Sequence, residues 1–307
     1  MNEQETKHKA EESKPRRDFS KLYDKYHKLL LLIPVIILIF SLVYIVYFYN
    51  QNQDIMKKDV SLTGGTTITL TGDVDTDKLE SELKKQFSDI NFRKLSEITT
   101  GKTIAFAIES SSSAEQLKTA IESILGYKLT DQNSSTEFSG PSLGQSFYKQ
   151  LIMALIISFI LMSIVIFIMF RTFIPSIAVV FAAFSDIVMP LALLDFFGIR
   201  ISAAGIAAFL MLIGYSVDTD ILLTTRALKK GEGVLNQRIY RAFKTGILMT
   251  ITALAAVLPV FFIVSGLPDS FRQIFLILAL GLSADIINTW LTNASIIKWY
   301  CDKKGIQ

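Results

Sequence analysis

Six long apolar segments alternate with polar stretches along this sequence. The first is the uncharged run Leu29–Tyr49. The other five are separated by short connections and occupy Leu151–Phe170, Phe173–Phe197, Ile201–Thr225, Gly246–Ser265 and Ile274–Ile297. A helix of about 20 apolar residues crosses a hydrocarbon core about 30 Å thick. The pattern therefore predicts a polytopic α-helical membrane protein with six transmembrane helices, five of them in a bundle over residues 148–298.

Residues 50–147 form a polar stretch that is long enough for a separate domain. Its pattern changes between period two and helical spacing. The predicted elements are a strand after the turn Gly64-Gly65, helix Asp77–Phe87, strands near Ile90–Ile98 and Thr103–Glu109 with a hairpin turn at Thr100-Gly101-Lys102, a helix from a Ser113 cap to Leu125, and strand Thr136–Phe138. The order βαββαβ predicts a small α+β sandwich of ferredoxin-like type.

Basic residues are concentrated in one set of short polar segments, and this predicts the orientation. The tail 1–28 has eight Lys and Arg residues, and the loop Arg226–Thr245 has six against the single acid Glu232. More basic residues lie in 299–307. Short loops rich in Lys and Arg stay in the cytoplasm. We therefore predict a plasma-membrane protein with both termini cytoplasmic, a retained first helix and an extracytoplasmic domain at 50–147.

Composition and charge exclude several classes of function. Half of the 307 residues are hydrophobic, and the net charge is only +3, so there is no basis for nucleic-acid binding. The lone Cys301 excludes an internal disulfide framework, and the two histidines, His8 and His27, lie near the N-terminus. No His, Cys and carboxylate cluster has metal-ligand spacing. We predict no enzymatic activity, no metal and no cofactor.

Four acidic residues lie inside the apolar segments: Asp186, Asp218, Asp220 and Asp285. A charged side chain at membrane depth costs roughly 2.5–3.5 kcal/mol on insertion scales. Such residues usually line a water-filled or proton-conducting path. The alternative for Asp218 and Asp220 is a position near the cytoplasmic headgroups, where the side chains reach water.

Asp186 and Asp285 have local sequence contexts that favour polar partners within the protein. Pro190 cannot donate to the carbonyl of Asp186, so we predict a kink with water or a neighbouring donor; a tolerated proline bend with a protonated aspartate is the alternative. Asp285 shares a helical face with three small or polar residues, Gly281, Asn288 and Thr292. That face is predicted to contact protein, either in a proton path or as simple helix–helix adhesion.

Asp218 and Asp220 lie on different faces of one predicted helix. Asp218 shares its face with Gly214, whereas Asp220 shares a face with Ser216, about 200° away. A small residue such as Gly214 permits close approach of a neighbouring helix. Asp220 is nearer the cytoplasmic surface and reaches water more readily. We therefore predict that Asp218 is the functional carboxylate and that Asp220 matters less.

Three motifs occur in order with this topology: LTGGTT at Leu62–Thr67, GPSLG at Gly140–Gly144 and IGYSVDTDILLTTR at Ile213–Arg226. The chain after the tail is similar in these motifs to the SecF family of the SecD–SecF protein-export complex, in its archaeal form, within the resistance-nodulation-division superfamily. The motif positions are Gly64, Gly65, Thr66, Gly214, Tyr215 and Ser216. Bacterial relatives carry their acid at the position of Thr219, and Asp218 matches the acid of the sister SecD motif.

The resemblance implies an accessory subunit of the Sec machinery. Its partners would be a SecD homologue, the protein-conducting Sec channel and the translocating polypeptide, and it would use the proton gradient to promote translocation. The implied candidates for proton relay are Asp218, Asp220, Asp186, Asp285 and Arg241, the last of which resembles a basic motif residue. Two alternatives are an exporter of small molecules or lipids from the same superfamily and a passive assembly subunit. Such full-length exporters usually have two six-helix halves, whereas this chain has one.

Overall fold

The computed structural model of this chain describes residues 26–27, 29–72, 74–96, 103–229, 233–263 and 269–306. Helix α1 (Leu32–Asn52) and the short helix α2 (Val60–Thr63) precede a domain made of β1 (Gly65–Thr71), α3 (Thr76–Gln86), β2 (Asn91–Ser96), β3 (Thr103–Ser110), α4 (Ala114–Leu125) and β4 (Ser134–Ser139). The remaining helices are α5 (Pro141–Phe170), α6 (Phe173–Phe196), α7 (Ala203–Leu228), α8 (Leu235–Ile263), α9 (Asp269–Ile287) and α10 (Ala294–Lys304). A π-helical turn, Asn288–Asn293, joins α9 to α10.

The domain between α1 and α5 has the predicted ferredoxin-like arrangement. Its sheet is antiparallel with the strand order β2-β3-β1-β4, so the first and third strands lie in the middle. Alternate residues of β1 and β3 pack against α3 and α4, which contribute apolar residues one turn apart. This core contains Ile68, Leu70, Leu79, Leu83, Phe106, Ile108, Leu117 and Ile121. The predicted βαββαβ sandwich is confirmed.

The residues at the two ends of α4 have the conformations that suit helix caps. Ser113 accepts a hydrogen bond from the backbone N–H of Gln116 at 3.4 Å, so it caps α4 as predicted. Gly126 ends that helix with a φ of 76°, in the left-handed region that suits glycine. The predicted hairpin turn Thr100-Gly101-Lys102 lies outside the described residues, as does the predicted tail apart from residues 26–27.

Six helical segments among the described residues are long and apolar enough to cross a membrane, which confirms the predicted number. Two of the helices, α5 and α8, begin about ten residues before their predicted apolar runs. Helix α5 begins at Pro141 because proline suits a first helical turn, and its first turns pack against α2. Helix α8 begins at Leu235 inside the predicted loop, because Leu235, Ile239 and Ala242 form an apolar face that is buried.

Several contacts attach the domain to the end of the helical bundle at which α7 begins. The segment before α2 pairs with the start of α7, where Asp59 N–H donates to the Ile201 carbonyl at 3.1 Å. The Ser61 hydroxyl accepts from Ala203 N–H at 3.0 Å. Glu109 at the end of β3 is buried and pairs with Arg93 of the sheet and with Arg200, 3.5 Å away, before α7. Helix α7 therefore begins in direct contact with the domain.

Candidate functional site

Three aspartates from three helices are buried inside the bundle. Asp186 on α6 is 1% exposed, and Asp220 on α7 and Asp285 on α9 are 0% exposed. Helices α6, α7 and α9 all pack on one another. We refer to Asp186, Asp220 and Asp285 as the buried carboxylate cluster.

Asp186 is bound by a hydroxyl and an amide from two neighbouring elements. The Ser216 hydroxyl on α7 donates to its Oδ2 atom. Asn288 Nδ2, at the start of the π-helical turn, donates to its Oδ1 atom at 2.6 Å. The carboxylate therefore has the neighbouring donors that its position four residues before Pro190 suggested.

Asp285 is surrounded by threonine hydroxyls. Its Oδ1 atom accepts hydrogen bonds from Thr219 on α7 at 2.8 Å and from Thr289 at 3.0 Å. Its Oδ2 atom accepts from Thr250 on α8 at 3.4 Å. This one carboxylate thus joins α7, α8 and the π-helical turn through groups that can either donate or accept a hydrogen bond.

Asp220 has fewer partners than the other two. Asn293 Nδ2 donates to its Oδ1 atom at 2.7 Å. Its Oδ2 atom has no hydrogen-bond partner among the described residues, and the same holds for the side-chain oxygens of Asn288 and Asn293. A buried acceptor without a donor destabilises the folded state. A proton or another donor bound at this part of the cluster would therefore be stabilising.

The π-helical turn supplies one partner to each carboxylate. Asn288 donates to Asp186, Thr289 to Asp285 and Asn293 to Asp220. In a regular α-helix, residues five apart point about 140° away from each other. The wider π turn brings positions 288 and 293 to the same interior, and π turns inside helices are frequent at functional sites. The buried stripe Gly281, Asp285, Asn288 and Thr292 faces protein as predicted. The sequence analysis missed Asn293, whose role depends on the π geometry, and it also missed Thr289, although that residue is four positions after Asp285 and so lies on the same helical face.

The cluster is acidic and has no basic partner. Within the described ranges, the groups that act on the three carboxylates are one another and the surrounding hydroxyls and amides, and no Lys, Arg or His is among them. Full ionisation would bury several like charges without compensation, which is strongly disfavoured. The arrangement can therefore hold protons on carboxylates inside the membrane region.

Asp218 lies outside this cluster. Its side chain is on the exposed outer face of α7, whereas Asp220 faces the interior. The expected close approach of a helix at Gly214 does not occur among the described residues, none of which places an atom of another element within 4 Å of a Cβ built there. The reason is the rotation of α7, which buries the face with Leu212, Ser216, Asp220 and Leu223 against α6 and α9.

The remaining predicted residues have mainly structural positions. Arg241 has an exposed side chain, and its carbonyl accepts from Arg226 at 3.0 Å, so it does not contact the cluster. Gly64 and Gly65 have φ angles of 83° and 140°, and the Thr66 hydroxyl donates to the Ser112 carbonyl at 2.7 Å. Of the six motif positions Gly64, Gly65, Thr66, Gly214, Tyr215 and Ser216, Ser216 is therefore the one that donates a hydrogen bond to a carboxylate of the buried cluster.

The fold and this site define a polytopic membrane protein in which an α+β domain is inserted between the first and second of six helices. Residues 118–303 match the family model described as protein export membrane protein SecD/SecF, C-terminal. The chain is 37% identical to the protein-export membrane protein SecF of Methanolacinia petrolearia, over 91% of this chain and 95% of that protein. Its identity to the SecF protein of Pyrococcus furiosus is 34%, over 90% and 92% of the two chains. The chain belongs to the SecF family of protein-export membrane proteins.

Solved structures show the same fold. The chain resembles the crystal structure of SecDF from Thermus thermophilus with a TM-score of 0.72 at 17% sequence identity, covering 94% of this chain and 39% of that longer chain. A crystal structure of SecDF in a super-membrane-facing form gives a TM-score of 0.60 at 16% identity, with 91% and 39% covered. The predicted family and fold class are confirmed, and the family is one of export membrane proteins rather than of enzymes.

Proposed function

We propose that this protein acts with a SecD homologue as an accessory subunit of the Sec protein-export machinery and uses the proton gradient to promote polypeptide translocation. The observation that carries the proposal is the buried carboxylate cluster: Asp186, Asp220 and Asp285 lie inside the helical bundle, and no Lys, Arg or His of the described residues pairs with them. Ionisable residues at membrane depth usually mark an ion or proton pathway.

The partners of the carboxylates favour reversible protonation. Hydroxyl groups from Ser216, Thr219, Thr250 and Thr289 surround Asp186 and Asp285. A hydroxyl donates to an ionised carboxylate and accepts from a protonated one, so either state keeps its hydrogen bonds after a small rotation. The cluster therefore has more than one low-energy protonation state, which a proton relay requires.

The structure also contains a connection from the cluster to the domain outside the bundle. Helix α7 carries Ser216 and Asp220, and its first turn is capped by Ser202 and contacts Ser61 of α2. Protonation that changes the packing of α7 against α6 and α9 therefore acts on an element that reaches the sheet domain. We infer that this path couples proton movement to motion of the domain, which would contact the translocating polypeptide.

We further propose that both termini are cytoplasmic and that the sheet domain lies outside the plasma membrane. The distribution of basic residues in the short loops supports this orientation. The complex would then lie beside the protein-conducting Sec channel and receive the polypeptide on the outer side.

Export by membrane vesicles tests the role of the cluster. The variants Asp186→Asn, Asp220→Asn and Asp285→Asn keep side-chain size but cannot titrate. Each is expected to lower gradient-stimulated export by about tenfold or more, in the range that loss of a proton-transfer group produces. The exposed turn residue Asp131 provides the matched control, since Asp131→Asn is expected to export normally.

This proposal reverses the predicted importance of the two aspartates on α7, because it makes export depend on Asp220 rather than on Asp218. Co-purification of the SecD homologue shows whether each variant still assembles. If all three cluster variants assemble and export at the wild-type rate, the cluster carries no protons and the protein is a passive assembly subunit.

A further inference from the structure

The buried carboxylate cluster lies between two parts of the bundle that differ in polarity. Toward the sheet domain, the buried residues are apolar or glycine along residues 187–194 of α6, 203–215 of α7 and 274–284 of α9. Examples are Met189, Leu191, Phe209, Leu212, Ile277 and Leu282. We call this part of the bundle the apolar layer. On α6, Asp195 follows Asp186 by nine residues, so the layer is about 13 Å thick there at the rise of a helix.

The opposite side of the cluster has polar groups in its interior. The buried polar residues on this side include Ser176, Thr224, Thr292, Asn293 and Ser295. They belong to α6, α7, the π-helical turn and α10, which pack on one another. An isolated charge in apolar surroundings is strongly disfavoured. The interior of the bundle therefore favours proton exchange with the end at which α7 ends rather than with the sheet domain.

Asp220 lies on the side of the cluster that is directed toward this polar interior. Along α7, Ser216 binds Asp186 and Thr219 binds Asp285, and Asp220 follows both. The last residue of the helix, Leu228, is eight residues beyond Asp220, which is about 12 Å along the axis. Asp220 is therefore closer to that end of α7 than the two residues that bind the other carboxylates.

Asn293 connects Asp220 to the next turn of α7. Its Nδ2 atom donates to Asp220 Oδ1 at 2.7 Å and to Thr224 Oγ1 at 3.5 Å. Three buried oxygen atoms nearby in the sequence have no hydrogen-bond partner among the described residues: Asp220 Oδ2, Asn293 Oδ1 and Thr292 Oγ1. Buried polar atoms are normally paired with protein or with ordered water. These oxygens therefore favour the binding of water beside Asp220.

We propose that Asn293 and Thr224 are positioning residues of a proton pathway that connects Asp220 to the end of the bundle at which α7 ends. In the releasing step, the O–H bond of protonated Asp220 breaks, a water molecule takes the proton, and a carboxylate remains; the loading step is the reverse. The amide of Asn293 and the hydroxyl of Thr224 orient that water, and Asn293 donates to the carboxylate. The proposal rests on the proposed function for the use of protons, and it adds the side of the membrane, the cytoplasm in the proposed orientation, with which the cluster exchanges them.

Helix adhesion is the other explanation for the contact between Asn293 and Asp220, because polar side chains also join helices within membranes. The two explanations differ in their consequences. If the contact only holds α7 against the π-helical turn, removal of a polar group loosens the packing and leaves the exchange of the carboxyl proton unchanged or faster. If Asn293 and Thr224 position the pathway, the same removal makes the exchange slower.

Infrared spectroscopy of the purified full-length chain after transfer to D2O measures this exchange through the carboxyl C=O band of Asp220. The band is assigned by its loss in Asp220→Asn, at a pH at which the wild-type band is present. Thr224→Val and Asn293→Leu keep the side-chain size, and each is expected to slow the exchange by about tenfold or more, in the range of lost proton-transfer groups. Thr224→Ser keeps the hydroxyl and is expected to exchange at the wild-type rate. The matched control is Thr252→Val, because Thr252 is exposed on α8 and its hydroxyl donates to the Met249 carbonyl at 2.8 Å. Unchanged or faster exchange in both Thr224→Val and Asn293→Leu would overturn the proposal.

Proton flux into proteoliposomes that contain this chain with a SecD homologue separates the inference from the proposed function. Thr224→Val is expected to lower the flux by about tenfold or more relative to the wild type and to Thr252→Val. Wild-type flux in Thr224→Val refutes the pathway. If the wild-type complex itself carries no protons, it is the proposed function that fails, and the infrared exchange rates still decide whether Asn293 and Thr224 connect Asp220 to water.

Discussion

The two motifs LTGGTT and GPSLG meet where the sheet domain joins α5, and Gly144→Ala is the substitution that tests this contact. A Cβ atom on Gly144 would lie 2.7 Å from the backbone nitrogen of Gly64 and 3.1 Å from the carbonyl carbon and oxygen of Leu62. These are backbone atoms, so they cannot move aside as a flexible side chain would. Gly64 is further constrained by its φ of 83°.

The change in the free energy of unfolding caused by Gly144→Ala is the result of two opposing effects. Ordinary contact distances for Cβ begin at 3.4 Å, so α5 or the Gly64 turn must shift by roughly 0.7 Å, and overpacking of this kind typically costs about 1–3 kcal/mol. Replacement of a helical glycine by alanine returns up to about 1 kcal/mol through helix propensity. We therefore expect a net loss of about 1–2 kcal/mol, which corresponds to a fall in Tm of about 2–8 °C for a chain of this size.

Thermal unfolding of the purified protein in mild detergent measures the effect. Gly214→Ala is the matched control, because Gly214 is also inside a helix but a Cβ there meets no atom within 4 Å. In the purified single subunit its Tm is expected to stay level or rise, since only the propensity gain applies. If Gly144→Ala is as stable as Gly214→Ala, the two motifs do not make the close backbone contact described above.

Two further predictions concern the domain and the orientation. Burial raises the pKa of Asp59 to about 6, above its value of about 3.9 in an unfolded chain. The folded state therefore favours the protonated form of this carboxyl. As a result, the contribution of Asp59 to stability falls as the pH rises from about 4 to about 6. The Tm of Asp59→Asn relative to the wild type should accordingly rise over that interval and then level off, whereas a pH-independent difference would contradict it. Two cysteine variants in a Cys301→Ser background test the orientation. The exposed position Val234→Cys is expected to resist membrane-impermeant thiol reagents in intact cells, whereas Tyr127→Cys on the domain is expected to react. The opposite labelling pattern would show that the orientation is reversed.

Hydrophobic periodicity was sufficient to predict the core elements of the sheet domain because each of them buries one face. Ile68 and Leu70 alternate on a strand, and Leu79 and Leu83 lie one turn apart on a helix. The six membrane helices were predictable for a related reason, since the thickness of a bilayer sets the length of an apolar helix that crosses it. The helix ends were less predictable, since α5 begins at Pro141, ten residues before its apolar run, where its first turns contact α2.

The placement of Asp218 and Asp220 on opposite faces of one helix follows from their spacing in the sequence, because helical geometry sets the angle between them. Which of the two faces lies inside could not be predicted from that spacing, because the rotation of α7 depends on its packing against α6 and α9. The same is true of Asn293, which reaches Asp220 through a π-helical turn that breaks the regular spacing. Local geometry is encoded by neighbouring residues, whereas the convergence of Asp186, Asp220 and Asp285 depends on contacts between helices far apart in the chain.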